Sequence, residues 1–133
     1  MNSYSFLMLR LAIGLSMFGH GLVRLGKLSG FSEWMVGSFQ NSILPEVLVV
    51  PFSYALPILE FCVGMLLLIG LFTKKAIFLG ALIMLLLIFG TTLIENWDAL
   101  PSQLIHLALF AVLLNFINDN CWALDIYFKK KGQ

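Results

Sequence analysis

From Ala76 to Ile94 the chain carries no ionisable side chain at all. A helix of that length extends roughly 28 Å at 1.5 Å per residue, close to the ~30 Å hydrocarbon core of a bilayer. Three more apolar stretches accompany it, at about 4–25, 51–72 and 102–117. The second can begin at Glu46, directly after Pro45. The last can reach back to Asp98 as a helix cap, with Pro101 in the first turn. Hydrocarbon offers no hydrogen-bond partners, so each such stretch must satisfy its own backbone as a helix. Composition agrees: 60% of residues are hydrophobic and 11% charged, where soluble domains run near half and a quarter. The expected fold is all-α, a single integral membrane four-helix bundle over residues 1–133.

A net charge of +1, with no basic patch interleaved with aromatics, argues against nucleic acid as a partner. Cys62 and Cys121 form no C-x-x-C pair and no cluster with histidine at metal-ligand spacing, so no metal is expected. No basic residue precedes the first apolar stretch and Arg10 interrupts it, so it reads as a retained span rather than a signal peptide.

Charge in the connections sets the expected orientation. Lys74 and Lys75 follow the second span, and Lys129, Lys130 and Lys131 end the tail. With four spans these lie on one side, opposite Glu33, Glu46, Glu95 and Asp98. The positive-inside rule makes the lysine side cytoplasmic, together with both termini. In the first extracytoplasmic loop, Phe31, Trp34, Met35 and Phe39 recur at helical spacing, with Ser32, Glu33 and Gln40 on the other side. A short amphipathic helix is expected there, lying on the outer leaflet or capping the end of the bundle.

Against this apolar background the ionisable residues stand out. Glu60 lies within the second span, Arg10, His20 and Arg24 within the first, and His106 within the fourth. Such groups are costly in a membrane unless partnered, so they mark a site or the bundle interior. Arg10, Gly14, Met17, Gly21 and Arg24 share one helical stripe, flanked by His20; Ser53, Pro57, Glu60 and Gly64 share another. Glycine lets backbones approach and polar groups then find partners, so Gly14, Gly21 and Gly64 are expected at the contact of spans one and two. Counting depth from the span ends puts Glu60 roughly 6 Å from the level of His20 and roughly 9 Å from that of Arg10. These two are its expected partners, with Arg24 a longer reach at the rim. An ion pair that only ties helices together needs no substrate, and both readings stand at this point. Two histidines on facing helices can also ligate a b-type haem. The few spans and the near-surface level of His20 and His106 disfavour it.

In order and spacing the motifs resemble those of the DoxX family of small bacterial inner-membrane proteins. The first span carries Arg10-Leu11, Gly14 and His20-Gly21 with Arg24, similar to the family's R-L…G…H-G-x-x-[KR]. The second carries Glu60, Gly64 and Leu68-Ile69-Gly70-Leu71-Phe72-Thr73-Lys74, similar to E-x-x-x-G…L-x-G-L-[FW]-T-[KR]. Trp122-Ala123-Leu124-Asp125 resembles its small-aromatic-x-L-D ending, although Asn118-Asp119-Asn120-Cys121 stands where a Gly-rich turn is common. The resemblance implies a four-helix protein of the bacterial cytoplasmic membrane. It also implies a subunit or partner of a membrane oxidoreductase complex, linked to quinone or thiol chemistry, with membrane or soluble redox proteins as partners. In that reading a quinone or a redox partner lies against the His20, Arg24, Glu60 and His106 side, with Arg or His on a quinone carbonyl and Glu60 relaying its proton; the cofactor itself is left open. The chain has no haem-attachment, iron–sulfur, flavin or nicotinamide motif of its own. A non-catalytic scaffold subunit is the alternative, and a small transporter working as a homo-oligomer a third reading.

Overall fold

A computed structural model describes residues 1–131, without the side chains of 129–131. The basic tail expected at Lys129, Lys130 and Lys131 therefore lies outside the described side chains. The chain forms α1 (Ser3–Leu25), α2 (Leu28–Phe39), α3 (Glu46–Ile69), α4 (Thr73–Leu93) and α5 (Leu100–Asn115), then a 3-10 turn (Ile117–Asp119) and α6 (Leu124–Lys131). Three of these, α1, α3 and α4, are long and apolar enough to cross a membrane. At 16 residues, α5 is apolar but shorter.

Local chemistry sets the ends. The Asn2 side chain caps α1 by accepting from the Tyr4 N–H at 2.8 Å. Helix α3 starts at Glu46, well before Pro51, and passes through Pro51 and Pro57 without a break. The Ser53 hydroxyl between them donates to the Val50 carbonyl at 2.6 Å. Gly70, at φ 70°, ends α3 in the left-handed conformation that glycine adopts most cheaply. The Asp98 cap is not formed. The residue before α5 is Ala99, with no side-chain cap, and Pro101 sits in the first turn as the sequence suggests.

The largest contact joins α1 to α3, which run antiparallel. Gly21 and Gly64 are reciprocal. A Cβ on Gly21 would fall 2.6 Å from Phe61 Cα, and one on Gly64 would overlap the backbone of Phe18. Each glycine thus admits the other helix's backbone, and the Phe18 and Phe61 rings pack beside the contact at 5.0 Å. Gly14 continues the seam, with its Cβ position 3.2 Å from Leu67. Further contacts of α3 with α4, α4 with α5 and α5 with α1 close a ring of helices, and α2 packs on α3. Phe6, Ile13, Leu56, Val63, Ile77 and Phe110 fill the interior. Leu15, Val23, Phe78 and Phe89 are exposed around the outside.

Candidate functional site

Five helices converge on a cavity of about 230 Å³ at the end of the molecule where α1 stops. Its walls are largely apolar, with Met17 from α1, Phe31 and Met35 from α2, Leu56 from α3 and Met84 from α4. Into it come His20 and Arg24 of α1, Glu60 of α3, Thr91 of α4, and Gln103 and His106 of α5.

Glu60 is almost wholly buried, at 2% exposure. Its partner is Arg24, whose Nη1 donates to Oε1 at 2.7 Å and to Oε2 at 2.6 Å. This corrects the expected pairing with His20 or Arg10. The reciprocal glycines rule out Arg10: Gly21 lies opposite Phe61 and Gly64 opposite Phe18, so Glu60 is level with a point near residue 22, and Arg10 is twelve residues away, roughly 18 Å. Arg24 and His20 are each two residues away, roughly 3 Å along the axis, and His20 is turned out to an exposed position, so helix face rather than depth selects Arg24. Depth counted from a span starting at Pro51 misplaced this register; the glycines mark the contact in the sequence, and only the structure shows which residue each one faces.

The guanidinium also lies over the Phe31 ring, 4.8 Å from its centroid. Since one nitrogen serves both carboxylate oxygens, Nη2 and Nε make no hydrogen bond to a described residue. His20 is exposed and likewise makes none. His106 is fully engaged: Nδ1 lies 2.7 Å from the Ser102 carbonyl and Nε2 2.8 Å from the Ser16 hydroxyl. A carbonyl only accepts, so Nδ1 carries a proton; on the neutral ring Nε2 accepts from Ser16. Gln103 was not singled out from the sequence. Its amide nitrogen donates to Thr91 Oγ1 at 2.8 Å, and its buried Oε1 has no partner among the described residues. No periodicity marks it, because a single amide beside Pro101 and Ser102 reads as an ordinary helix start.

Arg10 belongs elsewhere. It is buried at the opposite end of α1, where Nη1 donates to Asn120 Oδ1 at 3.0 Å and Nη2 to the Trp122 carbonyl at 2.7 Å. Asn120 in turn donates to Thr73 Oγ1 at 3.1 Å. The Asp125 carboxylate accepts from the Phe72 and Thr73 N–H groups at 2.7 and 2.8 Å, capping the start of α4. Arg10 and the Trp122-to-Asp125 tail therefore form one latch over the α3–α4 turn. Asn120, in the segment that departs from the Gly-rich pattern, is a buried member of it.

The model of the DoxX family matches residues 5–95. The chain belongs to the DoxX family. No curated protein and no solved structure matches it. Within this DoxX protein the match covers α1 to α4, and with them Arg10, Gly14, His20, Gly21, Arg24, Glu60 and Gly64. Gln103, His106 and the tail fall beyond it. The DoxX cavity does not suit a b-type haem. Axial ligation by His106 would have to displace its Ser16 contact, and the volume lies below the usual ~300–1,000 Å³ of ligand sites, which haem fills. The cavity offers apolar walls, with unbonded nitrogens of Arg24 and His20 at its edge.

Proposed function

We propose that this DoxX protein is a four-span component of the bacterial cytoplasmic membrane that binds a quinone ring in the cavity beside Arg24 and Glu60. It serves there as a subunit or partner of a membrane oxidoreductase complex. The observation that carries the reading is the convergence of a buried carboxylate–guanidinium pair and an unbonded imidazole on an apolar cavity. Perturbable charges that meet in a closed space of this kind are the usual mark of a site.

In this reading α5 is the fourth span. Its 16 residues cover roughly 24 Å, and the turns at either end bring it near the bilayer thickness. The exposed Lys74 and Lys75 support a cytoplasmic location for the α3–α4 turn and hence for both termini. The cavity then opens near the outer leaflet, under α2, whose exposed Trp34 suits headgroup depth.

A bound quinone would supply uptake of two electrons and two protons. The chain's own contribution is local. Nη2 and Nε of Arg24 and a ring nitrogen of His20 are free to donate to a carbonyl oxygen. Arg24 Nη1 holds the Glu60 carboxylate at the cavity wall, where Oε1 or Oε2 can accept and release a proton. The surrounding methionines, leucines and aromatics exclude water and fix the ring's plane.

A scaffold role is the second reading, favoured by the fact that the same ion pair joins α1 to α3. Glu60→Gln separates the two, because it keeps the shape and an acceptor for Arg24 while removing the exchangeable carboxylate. The expected outcome is normal protein level in membranes with loss of quinone-linked electron transfer. Full activity in that variant would refute the quinone reading, and loss of the protein itself would favour the scaffold.

A further inference from the structure

The cavity shares a wall with a second, open depression on the outside of α1. His20, Arg24, Phe31 and Trp34 line both. The Phe31 and Trp34 rings stack at 5.7 Å and, with the Arg24 guanidinium over Phe31, stand where the two spaces adjoin. From there the depression, about 610 Å³ in all, runs as a groove along Leu15, Gly19 and Val23. These residues recur every four positions, so the groove follows one helical face for roughly 12 Å. Leu15 and Val23 are exposed, and a Cβ placed on Gly19 meets nothing within 4 Å. The groove is thus apolar at Leu15, Gly19 and Val23, with the Ser16 hydroxyl already taken by His106, and polar at His20 and Arg24, where it meets the cavity, and towards Lys27.

We propose that cavity and groove are one site, which takes an amphiphile with a polar ring head and a single lipophilic tail and admits it sideways from the membrane between α1 and α2. The head occupies the cavity and the tail lies in the groove over Gly19. This rests on the cavity being the ligand site. Volume argues for it, because the cavity alone, at about 230 Å³, is smaller than ordinary small-molecule pockets and the groove supplies the missing space. Polarity argues for it too: hydrogen-bonding groups gather at one end of the joined space, and the other end is a bare apolar face of a helix long enough to cross a membrane. The ligand class is therefore membrane-resident, and its tail adds packing contacts along α1 that a bare ring lacks.

The test uses the purified full chain in micelles at fixed detergent concentration, with two probes: 1,4-naphthoquinone, and the same ring bearing one long alkyl tail. Binding is read from quenching of intrinsic tryptophan emission, since Trp34 borders both spaces. Gly19→Phe places a ring in the groove at a position where the added Cβ meets nothing within 4 Å, and an unchanged far-UV circular dichroism spectrum checks its fold. Leu22→Phe places the same aromatic ring at an exposed position that borders neither space. Gly19→Phe should raise the Kd of the tailed probe at least tenfold and leave the bare ring within twofold, and Leu22→Phe should change neither. Unaltered binding of the tailed probe to Gly19→Phe overturns the shared site while leaving the cavity reading intact. Equal weakening of both probes overturns it as well, since the head alone would then sense Gly19. Failure of both probes to bind the unaltered chain removes the cavity reading and this inference together.

Discussion

Replacing Arg24 by methionine isolates the energetics of the pair at the centre of the site. The side chain of Glu60 is 3% exposed and that of Arg24 25% exposed, so the two partners are not equivalent. Arg24→Met strands a carboxylate away from water, and breaking a buried pair from one side costs about 3–5 kcal/mol. The lower end, about 3 kcal/mol, applies here, because the cavity beside Glu60 leaves room for local relaxation. That is about two decades in the unfolding constant. Glu60→Gln leaves an amide oxygen that still accepts from Nη1, opposite a cation that retains part of its solvation. Its cost should be about 1 kcal/mol. The double variant Arg24→Met/Glu60→Met removes both charges and should lie close to the unaltered protein, since apolar replacement of a buried pair is often neutral. The assay is reversible unfolding of the purified chain by SDS titration in mixed micelles, followed by far-UV circular dichroism. The reasoning is refuted if Glu60→Gln costs more than Arg24→Met, or if the double variant is as unstable as the worse single.

Gly64→Ala should cost about 1–3 kcal/mol in the same titration, because its methyl overlaps the Phe18 backbone and α1 must move away from α3. A cost below about 0.5 kcal/mol would show that the seam is looser than the reciprocal contact implies. The orientation is tested by Lys74→Cys in a background lacking the exposed Cys62 and Cys121. An impermeant thiol reagent should label it only after the cells are opened, and labelling in intact cells would invert the topology.

Much of the helical layout is legible without coordinates. Charge-free runs and glycine-bearing stripes locate α1, α3, α4 and α5, and they identify the α1–α3 contact, because hydrocarbon-length segments have no option but helix. The ends drift by a few residues: α3 takes the earlier of its two expected starts, Glu46, and ends at Ile69 rather than 72, and α4 starts at Thr73 rather than Ala76. Those ends depend on Gly70 and on a cap that Asp125 supplies from more than fifty positions away in sequence, and neither is a periodic signal.

The candidate site was less legible. That Glu60 must be buried and partnered follows from its apolar surroundings and its place on the Gly64 stripe. Which cation partners it depends on the axial register of two antiparallel helices, which excludes Arg10, and on which face of α1 meets α3, which selects Arg24 over the exposed His20. Arg10 shows the same limit. Its stripe marks it as inward-facing, yet its partners are Asn120 and the Trp122 carbonyl, brought to it only by the return of the tail. The sequence by itself determined the helices, their inward faces and the need for charge pairing inside them, because these follow from local period and from the cost of burying charge. Tertiary structure alone decided who pairs with whom, and that Gln103 joins Glu60 and His106 at one cavity. Pairing depends on how closely backbones approach, and that distance is set by both helices of a contact together.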